Sequence, residues 1–359
     1  MERVDTVIVG GGAMGLSAAW HLARRSRQVL LLERETIGHL GGASHGSTRN
    51  FNQAYSDRRY VAMLVESRRL WRELERESGT TLLDIVGIVN HGRNQAFDDV
   101  HAALSAAGIP AEFLPAAEAR DRWPGIRFDS RVLYTPQSGR LRADAALAAL
   151  QHGAIALGAD IRQGTQVTKL AVQGDGQVRI TTDDAQFDAR RVIVTAGAWT
   201  EKLIGNVVPL PRLVVTQEQP AHFAAHDAAG PWPGFNHYPT PGDRSYEYWP
   251  SQIYGMQTPG EGIKVGWHGV GPVTDPDART FTAEPVQLAA LRRYVHEWLP
   301  GADPDTATEL SCTYTTTPDT NFVLKRFGPI TVGAGFSGHG FKFTPAVGRI
   351  LADLSDRDL

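Results

Sequence analysis

The sequence predicts an α/β chain, α+β overall, in which a parallel-sheet domain is interrupted by a largely antiparallel sheet. Three stretches carry that reading. Asp5-Thr6-Val7-Ile8-Val9 is a β-branched apolar run that enters the turn Gly10-Gly11-Gly12-Ala13-Met14-Gly15, followed by a helical pattern from Ala13 to Arg25. Val192 to Val194 is a second β-branched strand, and it ends in the small residues Thr195-Ala196-Gly197-Ala198 before Trp199. Beyond it, Pro209 to Asp277 is rich in proline, glycine, aromatics and β-formers, as an inserted antiparallel sheet would be.

The first stretch fits G-x-G-x-x-G between a strand and a helix, with a second strand, Gln28 to Leu32, closing on Glu33. That βαβ arrangement holds a dinucleotide. Gly10 allows the tight turn, Gly12 lets backbone approach a pyrophosphate, and Gly15 lets the helix pack close to the strand. The helix start offers N–H donors and partial positive charge to phosphates. Glu33 stands where a carboxylate can accept hydrogen bonds from ribose hydroxyls.

The chain has 359 residues, 42% hydrophobic and 21% charged, enough for about two domains with a sizeable core. A net charge of −3 gives no support for a nucleic-acid partner. Cys312 is the one cysteine, so no intrachain disulfide can form. Val7 to Ala19 is broken by glycines and does not read as a leader, and no stretch approaches the ~20 apolar residues of a membrane span. A soluble cytoplasmic protein without membrane, nucleic-acid or metal partners is expected.

In chain order, Ile37 to Arg49 is a glycine-rich loop whose second half carries His45 and Arg49 as its bulky polar groups. Tyr60 to Ser78 reads as a helix with Tyr60, Met63, Leu64, Leu70, Trp71 and Leu74 on its apolar stripe. Leu82 to Val89 reads as a strand, Ala96 to Ala107 and Ala116 to Arg122 as helices, and Arg142 to Leu157 as an alanine-rich helix. Asp160 to Gln163, Gln166 to Val172 and Val178 to Thr182 are strands, with a turn at Gly174-Asp175-Gly176. Further strands are expected at Arg212 to Gln217, Ser245 to Trp249, Gln252 to Met256 and Gly262 to Trp267. Alternation in the last of these puts Lys264 on one face with Gly266 and His268, opposite Ile263, Val265 and Trp267. Such a face is either a site wall or a solvated side. Pro285 to Leu299 reads as a helix turning Leu288, Leu291, Val295 and Trp298 inward. Near the end, a strand at Ile330 to Val332 leads through a glycine loop to a last helix, Ala346 to Leu354, with Thr344 and Pro345 as N-cap and first-turn residues.

Six groups of residues together resemble the monomeric sarcosine oxidase family, which includes N-methyltryptophan oxidase, within the FAD-dependent amino-acid-oxidase-like flavoenzymes. They are Gly10 to Gly15 with Glu33, Ser44-His45-Gly46-Ser47-Thr48-Arg49, Ala196 to Trp199, Lys264 with His268, Cys312-Thr313-Tyr314-Thr315-Thr316-Thr317-Pro318-Asp319, and Phe336-Ser337-Gly338-His339-Gly340-Phe341-Lys342. They span the chain in family order, and the last two are long and specific.

The resemblance implies a Rossmann-type FAD-binding domain, residues 1–80, 140–208 and 305–359, and an inserted substrate domain, 81–139 and 209–304. It implies FAD bound by Gly10, Gly12, Ala13, Met14, Gly15, Glu33, Arg34, Ser44, His45, Thr48, Arg49, Val167, Ala196, Gly197, Trp199, Gly338, Gly340, Phe341 and Lys342, and linked through its 8α carbon to Cys312. His45 and Arg49 would lie by the flavin ring. Lys264 matches a lysine that activates oxygen, Tyr254 and His268 match pocket residues, and Lys342 matches a lysine near the flavin N1–C2=O edge and the substrate carboxylate. The implied activity is oxidation of a secondary amine, an N-methyl amino acid foremost, with O2 reduced to H2O2 by a monomer. One position departs from the pattern: the family's second arginine is Asn52 here, and an amide cannot grip a carboxylate as a guanidinium does. Cyclic imino acids, fructosyl amino acids or an acceptor other than oxygen would use the same flavin residues. An NAD-binding or non-catalytic protein would need neither the Cys312 stretch nor the second small-residue strand end.

Overall fold

The computed structural model describes residues 2–356 except 95, 175, 228 and 229. The turn expected around Asp175 therefore lies partly outside the described residues. Among the described residues the strands form two eight-stranded sheets, a three-stranded sheet and a two-stranded ribbon.

In the first large sheet, Glu2–Val9 lies parallel to Val29–Leu32 on one side and to Gln186–Val194 on the other. Ile330–Ala334 extends the parallel set beside Val192 to Val194, and the hairpin of Val167–Val172 and Val178–Thr182 adds antiparallel strands. Val7, Ile8, Val192 and Ile193 are all 0% exposed, because a parallel sheet is covered on both faces and its strands are apolar throughout. The helices Ala13–Ala23, Arg58–Ser78, Ala143–Ala156 and Thr344–Asp356 cover one face, around Trp20 and Trp71.

The second large sheet runs through Thr308–Glu309, Ala221–Phe223, Gly262–Trp267, Ile253–Thr258, Gly234–Tyr238, Ile88–Gly92, Val132–Thr135 and Glu112–Leu114. Its pairs are antiparallel except the central Gly234–Tyr238 beside Ile88–Gly92. The helix Pro285–Trp298 packs on it through Leu291, Tyr294, Val295 and Trp298. No helix of the described residues is long and apolar enough to cross a membrane.

Three local expectations need correction. Leu82 to Val89 is not one strand. Gly87 adopts φ +73°, and the run splits into Leu83–Ile85 in the three-stranded sheet and Ile88–Gly92 in the second large sheet. Ser245 to Trp249 is not a strand: Asp243 caps a 3-10 turn, Arg244–Tyr246, that folds Tyr246 and Trp249 into the core. Thr344 is not an N-cap, because the 3-10 turn Phe341–Phe343 runs straight into the last helix and Thr344 is its first residue.

Candidate active site

Two cavities meet at the carboxyl ends of the parallel strands. The first, about 410 Å3, is lined by Gly10, Gly12, Ala13 and Met14 of the glycine turn and by Glu33 and Arg34 after the second strand. Ser44, Val167, Ala196, Gly197, Trp199 and Gly340 complete the expected set around it. The second, about 420 Å3, is lined by Thr48, Tyr254, Lys264, His268 and Lys342. Arg49, Cys312, Gly338 and Phe341 line both. Gly15 and His45 line neither. Gly15 packs the helix on the strand turn so closely that a Cβ there would stand 1.9 Å from the Gly10 carbonyl oxygen.

In the first cavity the polar groups are held by backbone. Ser44 Oγ accepts from the Ala13 N–H at 3.0 Å. Glu33, 5% exposed, accepts from the Gly11 N–H at 2.6 Å and the Glu35 N–H at 2.9 Å, and a carboxylate has further lone pairs for hydroxyl donors. Arg34 stacks 4.7 Å over Trp199 and pairs at 3.2 Å with Asp277, which also accepts from Trp199 Nε1 at 2.6 Å. Hydrogen bonds first from Lys202 and then from Trp199 hold Asp277 down to about 2.

At the seam, Arg49 donates to three carbonyls: Thr48 O at 2.9 Å, Ala43 O at 3.0 Å and His45 O at 2.6 Å. These bonds curl the glycine loop around its guanidinium. Burial, followed by the charges of Arg49 and Lys264, pushes His45 down to about 4, and its Nε2 is buried with no partner among the described residues. Cys312 opens the strand Cys312–Thr316, which pairs with Val214–Glu218, and its half-buried thiol faces both cavities.

In the second cavity Lys264 is 7% exposed, and burial, with the Arg49 charge behind it, pushes it down to about 7. Alternation thus makes this face a buried wall and not a solvated side. Lys342, also 7% exposed, is pushed down to about 7 by burial and donates to Tyr55 Oη and to the His339 carbonyl, both at 2.9 Å. His268 is pushed down to about 4, by burial and then by Lys342, and its Nδ1 lies 3.4 Å from Tyr314 Oη. Burial raises the Tyr254 hydroxyl well above its usual range. Asn52 lines this cavity and turns its side-chain oxygen back to the Ala54 N–H at 3.1 Å. Sequence reasoning missed Asn236, Tyr238 and Asp277, which stand far from any motif, and Tyr55, which lies just past the Arg49 motif. His339 and Tyr314 lay inside the glycine and cysteine motifs and could have been read from them.

The fold and the first cavity define a dinucleotide-binding oxidoreductase. Residues 5–354 match the family described as FAD dependent oxidoreductase, and the chain belongs to it. The chain is 34% identical to the peroxisomal sarcosine oxidase of Mus musculus and 32% identical to the monomeric sarcosine oxidase of Bacillus sp. (strain NS-129). Each match covers 98% of this chain and 92% of the relative. The N-methyl-L-tryptophan oxidase of Yersinia pestis (strain Pestoides F) is 27% identical over 97% of this chain and 94% of its own. Among solved structures, NikD, an unusual amino acid oxidase essential for nikkomycin biosynthesis, superimposes with a TM-score of 0.85 at 28% identity, covering 100% of this chain and 95% of that one. The protein is an FAD-dependent amine oxidoreductase. Its residues fit the cofactor: a helix start and Glu33 suit the pyrophosphate and ribose.

Proposed function

We propose that this protein is an oxidase of secondary amines, N-methyl amino acids of the sarcosine type foremost, which converts the C–N bond to an imine and dioxygen to hydrogen peroxide. One observation carries the reading: two buried lysines, Lys264 and Lys342, share a cavity that meets the nucleotide cavity at Arg49 and Cys312. FAD, when bound, supplies the chemistry by accepting the hydride equivalent and passing the electrons on. Lys342 binds the substrate carboxylate and, with Arg49, would place positive charge beside the bound cofactor. Lys264 lowers the cost of placing an electron on dioxygen by Coulomb attraction. His268, neutral at pH 7, and Tyr254 shape the pocket without competing for the carboxylate. Cys312 is the tether for a covalent flavin. The same reading makes the first sheet and its helices the FAD domain, the second sheet the substrate domain, and the protein a cytoplasmic monomer.

Asn52 favours a second reading within this chemistry. With one cation left for a carboxylate, a cyclic imino acid or a fructosyl amino acid that gains affinity from its bulk becomes the better substrate. The purified protein is expected to be yellow and to stay yellow after acid precipitation, with Cys312→Ala releasing the colour. It should release peroxide with at least one N-methyl amino acid, proline, pipecolate or fructosyl amino acid. A colourless protein, or a yellow one that none of these reduces, overturns the proposal.

A further inference from the structure

A hydrogen-bonded chain that the amine chemistry does not use runs from the surface to the second cavity. Glu261, in the turn between Ile253–Thr258 and Gly262–Trp267, has a side chain 41% exposed, and its Oε2 lies 3.2 Å from Nδ1 of His222. His222 is 5% exposed, and its Nε2 lies 3.1 Å from Thr258 Oγ1. Thr258 is fully buried, and its hydroxyl lies 2.7 Å from Thr48 Oγ1. Thr48 lines the second cavity beside Arg49. Each step is within hydrogen-bond distance, and each middle member can accept a proton on one side while releasing one on the other.

Strand pairing makes the chain stiff. His222 stands directly across from Lys264 in the antiparallel pair Ala221–Phe223 with Gly262–Trp267, and across from Thr308 on its other edge. Glu261 is also held by Ser47, the neighbour of Thr48. The charged groups that act on His222 are Lys264 across the strand pair and Glu261 in the turn. Burial and then Lys264 push His222 down to about 4, so the ring is neutral at pH 7 and one nitrogen is always open to a proton.

We propose that Glu261, His222, Thr258 and Thr48 form a proton relay between solvent and the Lys264 side of the active site. This rests on the oxidase reading. Reducing dioxygen to hydrogen peroxide takes two electrons and two protons. FAD, when bound, would supply both electrons and one of the protons, and the second comes from solvent. Thr48 gives its hydroxyl proton to the cavity and takes one from Thr258. Thr258 is refilled from Nε2 of His222 as Nδ1 takes a proton that Glu261 has just received from water, and rotation of the imidazole ring and of the two hydroxyls then resets the chain. No bond other than O–H and N–H changes, and one proton crosses in each turnover.

The test uses holoenzyme reduced anaerobically with dithionite and mixed with oxygenated buffer, so the amine's identity does not enter. In Thr258→Val, which keeps shape and loses the hydroxyl, reoxidation at pH 7 should slow about 100-fold, as on loss of a positioned proton donor. The solvent isotope effect on that step should rise, and Thr258→Ser should restore both. His222→Gly should show the same loss and regain rate with added imidazole. Reoxidation within twofold of the parent in Thr258→Val, or a loss in His222→Gly that imidazole does not relieve, overturns the relay. A parent enzyme that reoxidises no faster than free flavin overturns the oxidase reading instead.

Discussion

The two cavities are built from different materials. The first is mostly backbone, glycine turns and strand ends supplied by several short motifs spread along the chain, with Glu33 pinned by two N–H groups. The second is mostly side chains, brought together from Thr48–Phe51, Gly234–Tyr238, Ile253–Thr258, Gly262–Trp267 and the loop before the last helix. Grip on a common cofactor needs close approach, which glycine allows at fixed spacing. Choice of a substrate needs chemically distinct groups facing one volume, and any strand can supply one. Tolerance to change should therefore differ: the first cavity fails by steric collision, the second by changed rates.

The largest effect is expected at Gly15. Its added Cβ would meet backbone that cannot move aside, so Gly15→Ala should cost about 3 kcal/mol or more. Thermal melting and flavin content of the purified protein would both report it, and an unchanged melting point would break the contrast between the cavities. Lys264→Met comes next. It should slow reoxidation by about 100-fold while leaving anaerobic reduction by the amine near its parent rate. Stopped-flow absorbance separates the two steps. Because Lys264 is pushed down to about 7, it is cationic below that pH, and the parent's oxygen reaction should fall as pH rises through about 7.

Acid should weaken the second region first. His91 and His237 stack at 3.8 Å in the core of the second sheet, both 0% exposed. Burial pushes His91 down to about 3 and His237 well below its usual range, with the His91 charge second for the latter. Their folded values lie below the unfolded one near 6.5, so the stability they confer is complete above that value and is lost as pH falls toward about 3. The loss should approach about 1.4 kcal/mol per pH unit for each ring. Denaturant melts between pH 7 and 4 would show it, and replacing both rings with phenylalanine should flatten the slope. The smallest effect is expected from Asn52→Arg, about a tenfold fall in KM for sarcosine from one charge-assisted contact. No change in KM would mean that Lys342 already suffices.

Much of the first cavity was legible because its requirements are local. A glycine every two or three residues, a strand before and an acid after can be read within one stretch of chain, and the structure places Gly10, Gly12 and Glu33 together. Lys264 was legible as a member of a face, by alternation, but whether that face met solvent or a wall was set by distant stretches, Thr48 with Arg49 and Cys312 with Tyr314, that line the same cavity. Tyr55 was not legible: its hydroxyl matters because Lys342, 287 residues away, donates to it. The split at Gly87 was hidden because both halves of the run are apolar and each finds a different sheet.

Asp277 leaves a mark on how the chain comes together. It belongs to the inserted region, yet its carboxylate joins Arg34 and Lys202 at the edge of the nucleotide cavity. On the ribosome, Arg34 and Lys202 emerge long before their shared counter-ion, and the C-terminal strand Ile330–Ala334 that widens the sheet comes later still. A nascent chain halted before residue 275 would leave Lys202 without either of its aspartates and Arg34 with only its neighbour Glu35, so this edge of the nucleotide cavity closes late in synthesis.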